Sequence, residues 1–154
     1  MSHSMSPEPR YVGNRDLQNV DGAQKVTGRS RYVGDMTRPR MLIAKVLRSP
    51  IPHGRIARLD VSPALEVPGV CAAITSEDFV DHGSYGWPER DNYVLAYRKV
   101  RYLGEAVAAV AAETEAAAQA GIEAIDVEYE PLPVVDDPAR ALDPKSPVIP
   151  EEPA

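Results

Sequence analysis

A strand–helix–strand pattern in the second half of this 154-residue chain constrains its fold more than any other feature. Seven consecutive apolar residues, Ala106–Ala112, are typical of a strand buried on both faces. Thr114 supplies an N-cap for an alanine-rich helix over 115–124, and Ile125–Tyr129 follows as a further strand. Gly121 weakens this helix by about 1 kcal/mol relative to alanine, but it permits close approach to a sheet.

Further strand and helix signals precede and follow this pattern. The other strand candidates are Met41–Leu47, Arg55–Val61 and a short buried strand at Val70–Ile74. Short helices are predicted after Ser62-Pro63, after the hydroxyl of Thr75 and after Asp137-Pro138. Strands come first singly and then with helices between them. The sequence therefore predicts an α+β domain with one mixed β-sheet and a few short helices packed on it.

Composition along the chain predicts four segments. They are a disordered leader (1–11), an extended basic arm (12–40), the folded domain (41–143) and an extended, proline-rich tail (144–154). The net charge of −6 is uneven, because the first 40 residues carry a net +3 and the last 42 a net −9. Without a concentrated basic stripe, nucleic acid is not the expected partner. No apolar run is long enough to cross a membrane and no secretory signal is visible, so a cytoplasmic protein is expected.

The residues that usually carry chemistry are few and scattered. The single cysteine, Cys71, lies in an apolar run and is expected to be a buried structural thiol. With only one cysteine, the chain can form no internal disulfide and cannot hold an iron–sulfur cluster alone. His3, His53 and His82 have no metal-ligand spacing, so no metal site is predicted. No nucleophile elbow, phosphate-binding loop or dinucleotide motif occurs. The residues by themselves predict a soluble α+β domain without catalytic residues.

Five short strings, in a fixed order, carry a family resemblance. They are Asp21–Gly28, Arg48–Pro50, Pro68–Val70, Val100–Glu105 and Glu128–Pro133. Together they resemble the N-terminal a/b hammerhead domain of the molybdenum hydroxylase large subunit, the family of xanthine dehydrogenase, aldehyde oxidase and carbon monoxide dehydrogenase. The resemblance runs from about Val12 to Glu151, and it implies the a/b hammerhead fold.

The resemblance also implies a role in an oxidoreductase. Enzymes of this family use a molybdopterin (Mo) centre, two [2Fe–2S] clusters and FAD. The implied partners are a molybdopterin-binding catalytic chain, an iron–sulfur subunit and an FAD subunit. The larger part of the subunit, which holds molybdopterin, is not in these 154 residues, so we expect this chain to bind no cofactor itself and to be inactive alone. A naturally split subunit and an excised domain both fit; the alternative is a stand-alone, non-catalytic protein-binding or assembly module.

The loop from His82 to Asn92 is the candidate functional region. The corresponding loop of the family approaches the mouth of the substrate funnel, so Tyr85, Trp87 and Pro88 are candidates for apolar or stacking contact with a planar substrate. The alternative is that the two aromatic rings cover the underside of their own loop.

Five further residues are candidates for partner contact. They are Lys25, Arg29, Arg31, His53 and Glu105. His53 is the one histidine retained from a His-Ala-His-like stretch of the family. Glu105 replaces a glutamine that is common in the family, and its charge is costly if it is buried without a cation. Gly104 before it fits a sharp reversal of the backbone.

Overall fold

The computed structural model describes residues 19–88 and 90–149, and contacts divide the chain into two units between Pro39 and Arg40. The described part of the first unit contains helix α1 (Gly22–Val26) and a 3-10 helix (Val33–Asp35). The segment expected to be an extended arm is therefore partly helical. A salt bridge of 2.5 Å between Lys25 and Asp21 stabilises α1. The predicted leader (1–11), the start of the arm and the end of the tail lie outside the described residues.

The described part of the second unit is built from eight strands and several short helices. In chain order they are β1 (Ile43–Arg48), β2 (Gly54–Asp60), α2 (Ser62–Leu65), β3 (Val70–Ile74), 3-10 helices at Ser76–Asp78 and Val80–Gly83, β4 (Ser84–Tyr85), β5 (Asn92–Tyr93), β6 (Lys99–Val100), β7 (Ala106–Ala112), α3 (Glu115–Ala124), β8 (Asp126–Pro131) and α4 (Pro138–Ala141). The strands and helices expected from the sequence are present within one or two residues, and the α+β class is confirmed.

The strands form two sheets instead of the single mixed sheet that was expected. The orders are β1-β7-β3 and β6-β2-β8, with β4-β5 as a separate hairpin, and every pairing in the described residues is antiparallel. Although β1 and β2 are neighbours in the sequence, they do not pair. Ile43 of β1 lies opposite Ala112, and Gly54 of β2 lies opposite Pro131. These partners are far away along the chain, which is why local patterns could not reveal the division.

Helix α3 packs on the sheet β1-β7-β3 and contributes the buried Ala118 and the half-buried Ile122 to this contact. The hydroxyl of Thr114 accepts a hydrogen bond from the backbone N–H of Ala117 at 3.1 Å, which confirms the predicted N-cap. Gly121 is buried, and a β-carbon there would lie 2.9 Å from methyl groups of both Val110 and Val70. The close approach of helix and sheet therefore depends on this glycine.

The other face of the same sheet is open and apolar. Register and burial assign to it the side chains Ala44, Val46, Ala72, Ile74, Ala109 and Ala111, all of them exposed or half-buried. The expectation that β7 is buried on both faces holds at its start, where Val107 and Ala108 are both fully buried, but it is wrong for Ala109 and Ala111, which are half-buried. Cys71 is also exposed rather than buried. It lies on the edge strand β3, at a register shift between Val70 and Ala72 that removes it from the alternating pattern.

Candidate functional site

The loop predicted to be functional is a short hairpin that exposes its aromatic side chains. Strands β4 and β5 pair Ser84 with Tyr93 and Tyr85 with Asn92. Tyr85 is 54 % exposed and Trp87, beyond the end of β4, is 92 % exposed. The indole therefore does not cover the underside of the loop. Both rings are available for contact with something outside this chain.

The start of the loop is held in an unusual backbone conformation. Asp81 and His82 have φ angles of 50° and 53°, a left-handed region that non-glycine residues rarely adopt. The His82 ring stacks on the ring of Tyr97, with centroids 3.8 Å apart and planes 11° apart. Its Nδ1 lies 3.3 Å from a carboxylate oxygen of Glu77, but without hydrogen-bond geometry. The stacking thus fixes a strained backbone where the loop leaves the domain, as is common at functional positions.

Two of the strings that carry the family resemblance are in contact at the N-terminal end of β7. The backbone N–H of Ser49 donates to the carbonyl of Glu105, and that of Gly104 donates to the carbonyl of Ser49, both at 2.9 Å. The guanidinium of Arg48 donates to the carbonyl of Gly104 at 2.9 Å. Gly104 has φ of 83°, which confirms the sharp reversal expected at this position. The Arg48–Pro50 string and the Tyr102–Glu105 turn therefore form one structural unit.

Glu105 is buried in this unit, with 2 % of its surface exposed. The cation that its charge requires is supplied by Arg101, whose Nη2 and Nε donate to Oε1 at 2.8 and 3.1 Å. The backbone N–H of Arg101 donates to Oε2 at 2.5 Å. Arg101 is a residue that sequence reasoning missed, although the Arg-x-x-x-Glu spacing was visible. The side chain of Glu105 interacts with its own chain and presents almost no surface to a partner.

His53 lies directly before β2 and is buried, with 4 % of its surface exposed. Its Nδ1 lies 2.6 Å from the carbonyl oxygen of Pro133, within hydrogen-bond distance, and its own carbonyl accepts a hydrogen bond from the backbone N–H of Leu132. Its Nε2 is buried without a partner among the described residues. His53 thus joins the Glu128–Pro133 string to β2, and its ring is not on the surface.

The three basic candidates for partner contact belong to the first unit. Lys25 lies in α1 and is paired with Asp21, whereas Arg29 and Arg31 follow the helix. All three are exposed. These side chains are accessible to another chain.

The described side chains with shifted pKa values lie outside the loop from His82 to Asn92. The pKa of Asp60 is lowered, mainly because the backbone N–H of Ser62 donates to its carboxylate at 2.9 Å. Burial raises the pKa of Tyr129, whose hydroxyl has no partner among the described residues. Across residues 19–88 and 90–149, no three His, Cys, Asp or Glu side chains gather where they could hold a metal ion. The described helices include none long and apolar enough to span a membrane.

The sequence matches the family described as "Aldehyde oxidase and xanthine dehydrogenase, a/b hammerhead domain" over residues 27–133. A probable xanthine dehydrogenase subunit from Bacillus subtilis (strain 168) is 44 % identical over 126 residues, which cover 82 % of this chain and 17 % of the relative. The nicotinate dehydrogenase large molybdopterin subunit of Eubacterium barkeri is 38 % identical over 145 residues, covering 94 % of this chain and 34 % of the relative.

The fold matches solved structures as well. A reconstituted CO dehydrogenase from Oligotropha carboxidovorans superposes with a TM-score of 0.75 at 34 % identity, over 85 % of this chain and 17 % of that chain. The chain thus spans about a sixth of the Bacillus relative and of this enzyme chain, and about a third of the Eubacterium relative. Sequence and fold agree over the same domain, and the chain belongs to the aldehyde oxidase and xanthine dehydrogenase family, in which it corresponds to the a/b hammerhead domain.

Proposed function

We propose that this chain acts as the hammerhead portion of a molybdenum hydroxylase, where it lines the substrate funnel and forms a subunit interface without performing the chemistry. The observation that carries the funnel role is the 92 % exposure of Trp87 on a hairpin whose start is fixed by the His82–Tyr97 stack. A large aromatic ring exposed to solvent is suited to stacking on a planar substrate. Tyr85 and Pro88, both exposed, would extend that contact.

The proposal that other chains bind the cofactors is based on the side chains that this domain provides. Relatives are named as molybdenum-binding or molybdopterin subunits, but the described residues of this chain provide no cluster of metal ligands. These described side chains offer no site for a bare metal ion, and we derive no chemical step through a cofactor. Molybdopterin, [2Fe–2S] clusters and FAD would be held by a molybdopterin-binding catalytic chain, an iron–sulfur subunit and an FAD subunit, assembled with this chain in the cytoplasm.

Two surfaces support an interface with such partners. The open face of the sheet β1-β7-β3 is apolar over three strands, and exposed apolar patches of this kind commonly mark contacts with other chains. The exposed Lys25, Arg29 and Arg31 are candidates for ion pairs with an acidic surface. Replacing all three by glutamate is expected to abolish co-purification with the catalytic chain. A complex that survives this charge reversal would remove the basic residues from the proposed interface.

The funnel role is tested by kinetics of the assembled enzyme. The tagged chain is purified from its native cells with whatever accompanies it, and molybdenum, iron and flavin are quantified. Trp87→Ala and Tyr85→Ala are expected to raise KM about three- to tenfold, the factor that corresponds to the loss of one aromatic contact. Cofactor content should stay unchanged. Leu142→Ala is the matched control, because Leu142 is also apolar and 85 % exposed but lies at the end of α4.

Two outcomes would contradict the proposal in different ways. Unchanged kinetics in both aromatic variants would eliminate the funnel contact while leaving the interface in place. Isolation of the chain alone and free of metal would favour the second candidate function, a stand-alone protein-binding or assembly module derived from the domain. The open apolar sheet face favours that candidate equally, since it too would need a protein partner.

A further inference from the structure

The buried pair Arg101–Glu105 does more than neutralise a charge. The side chains are only 12 % and 3 % exposed, and Arg101 supplies hydrogen bonds to both carboxylate oxygens of Glu105. A buried carboxylate satisfied in this way keeps its partner in one orientation, because any other orientation would leave a desolvated charge unpaired. Glu105 therefore determines where the guanidinium of Arg101 points.

The guanidinium points at the second half of the exposed hairpin. Its remaining nitrogen, Nη1, donates a hydrogen bond to the backbone carbonyl of Asp91. Its central carbon lies 5.4 Å from the ring centroid of Tyr93, within the range of a cation–π interaction. Asp91 directly precedes β5, and Tyr93 is its last residue. Strand β5 pairs with β4, which carries Tyr85 and leads to Trp87. One arginine thus joins the turn before β7 to the hairpin.

We propose that Glu105 is a positioning residue, which holds Arg101 as a clamp on β5 and thereby sets the position of the Trp87 loop relative to the sheets. The hairpin has a further attachment at Tyr97, whose ring stacks on His82 in the first half and lies 5.6 Å from the ring of Tyr93 in the second half. Loss of the clamp should therefore loosen the return strand and the loop tip without releasing the entire hairpin. The clamp itself does not depend on the proposed function; only its consequence for substrate does.

The charge of Glu105 is the property to change. Glu105→Gln keeps the size of the side chain but replaces one carboxylate oxygen by an NH2 group. Because this group is a donor and cannot accept a hydrogen bond from Arg101, the bonds to one of the two oxygens are lost. Glu113→Gln is the matched control, since it makes the same chemical change at an exposed position directly after β7. Trp87 is the only tryptophan of the chain, so intrinsic tryptophan fluorescence reports on this loop alone.

The test combines hydrogen exchange with time-resolved fluorescence anisotropy on the 154-residue chain. In Glu105→Gln, the amides of residues 83–87 and 90–94 are expected to exchange about tenfold faster, the order that follows from losing one charge-assisted hydrogen bond. The amplitude of the fast component of the Trp87 anisotropy decay should increase about twofold, because the loop is less restricted. Exchange in β7 and β8 should be unchanged, and Glu113→Gln should behave as the parent in every respect.

A second variant separates the clamp from folding stability. Replacing Arg101 and Glu105 together by leucine removes the charge pair without stranding either charge, a change that proteins often tolerate. The clamp on Asp91 is absent in this variant, so loop exchange and Trp87 mobility should rise as in Glu105→Gln. Unchanged loop exchange and anisotropy in the folded variants would overturn the proposal. Acceleration spread equally over β7 and β8 would overturn it too, because the pair would then be a core element.

The consequence for substrate is measured separately in the assembled enzyme. There Glu105→Gln is expected to raise KM several-fold with little change in kcat and none in cofactor content, while Glu113→Gln leaves both constants as they are. A mobile loop with unchanged KM would refute the funnel role but retain the clamp. The two proposals can therefore fail independently.

Discussion

Replacement of Gly121 by alanine tests whether helix propensity or packing dominates at the contact between α3 and the sheet. Alanine stabilises a helix interior by about 1 kcal/mol relative to glycine. The new β-carbon, however, would lie 2.9 Å from methyl carbons of Val110 and Val70, whereas ordinary contact begins at 3.4 Å. Val110 is 1 % exposed on the central strand, and its branched side chain has few alternative rotamers.

Packing is expected to prevail in this competition. Overpacking of a core by one methyl group costs about 1–3 kcal/mol, so Gly121→Ala should lower the free energy of unfolding by about 1 kcal/mol after the gain in propensity is subtracted. For a chain of this size such a loss lowers Tm by about 2–4 °C. Urea denaturation followed by far-UV circular dichroism measures the difference directly.

Two companion variants identify the cause. Ala120→Gly changes propensity at the neighbouring exposed position of α3 and should cost about 1 kcal/mol without any steric effect. Val110→Ala removes one of the two close methyl contacts and leaves that with Val70, so the double variant with Gly121→Ala should be more stable than the sum of the single effects by about 0.5 kcal/mol. If Gly121→Ala instead stabilises the protein, the close helix–sheet contact does not restrict this position and the reasoning is wrong.

Two other perturbations address a cap and a titrating group. Thr114→Ala should destabilise the chain by about 1 kcal/mol in urea denaturation, because the N–H of Ala117 loses its acceptor, and Thr114→Ser should restore most of that loss. The pKa of Asp60 in the folded protein lies below its ordinary value because the backbone N–H of Ser62 donates to the charged carboxylate. The contribution of Asp60 to the free energy of unfolding is therefore fully present above about pH 4, and it disappears as the pH falls through the folded pKa. The stability difference between the parent and Asp60→Asn should therefore shrink in acid, and a difference that is constant with pH would contradict this account.

The sequence by itself determined the local structure and the family. Thr114, Thr75 and Asp137 cap helices as their side chains dictate, and Gly104 reverses the chain, because hydrogen bonding and backbone freedom at these positions depend on neighbours a few residues away. The spaced strings carried the resemblance that the comparisons confirm. The loop that carries Tyr85 and Trp87 was also recognisable from its glycines and proline, whereas the exposure of the two rings was not.

Only the tertiary structure decided which of these pieces meet. Strand pairing is set by the burial of side chains from segments far apart, so the division into two sheets and the exposure of Cys71 on an edge strand were not encoded in any local pattern. Burial likewise turned Glu105 from a candidate surface contact into the partner of Arg101, and it oriented that arginine toward Asp91. A charge acquires its role from the dielectric and the partners around it, and these exist only once the chain has folded.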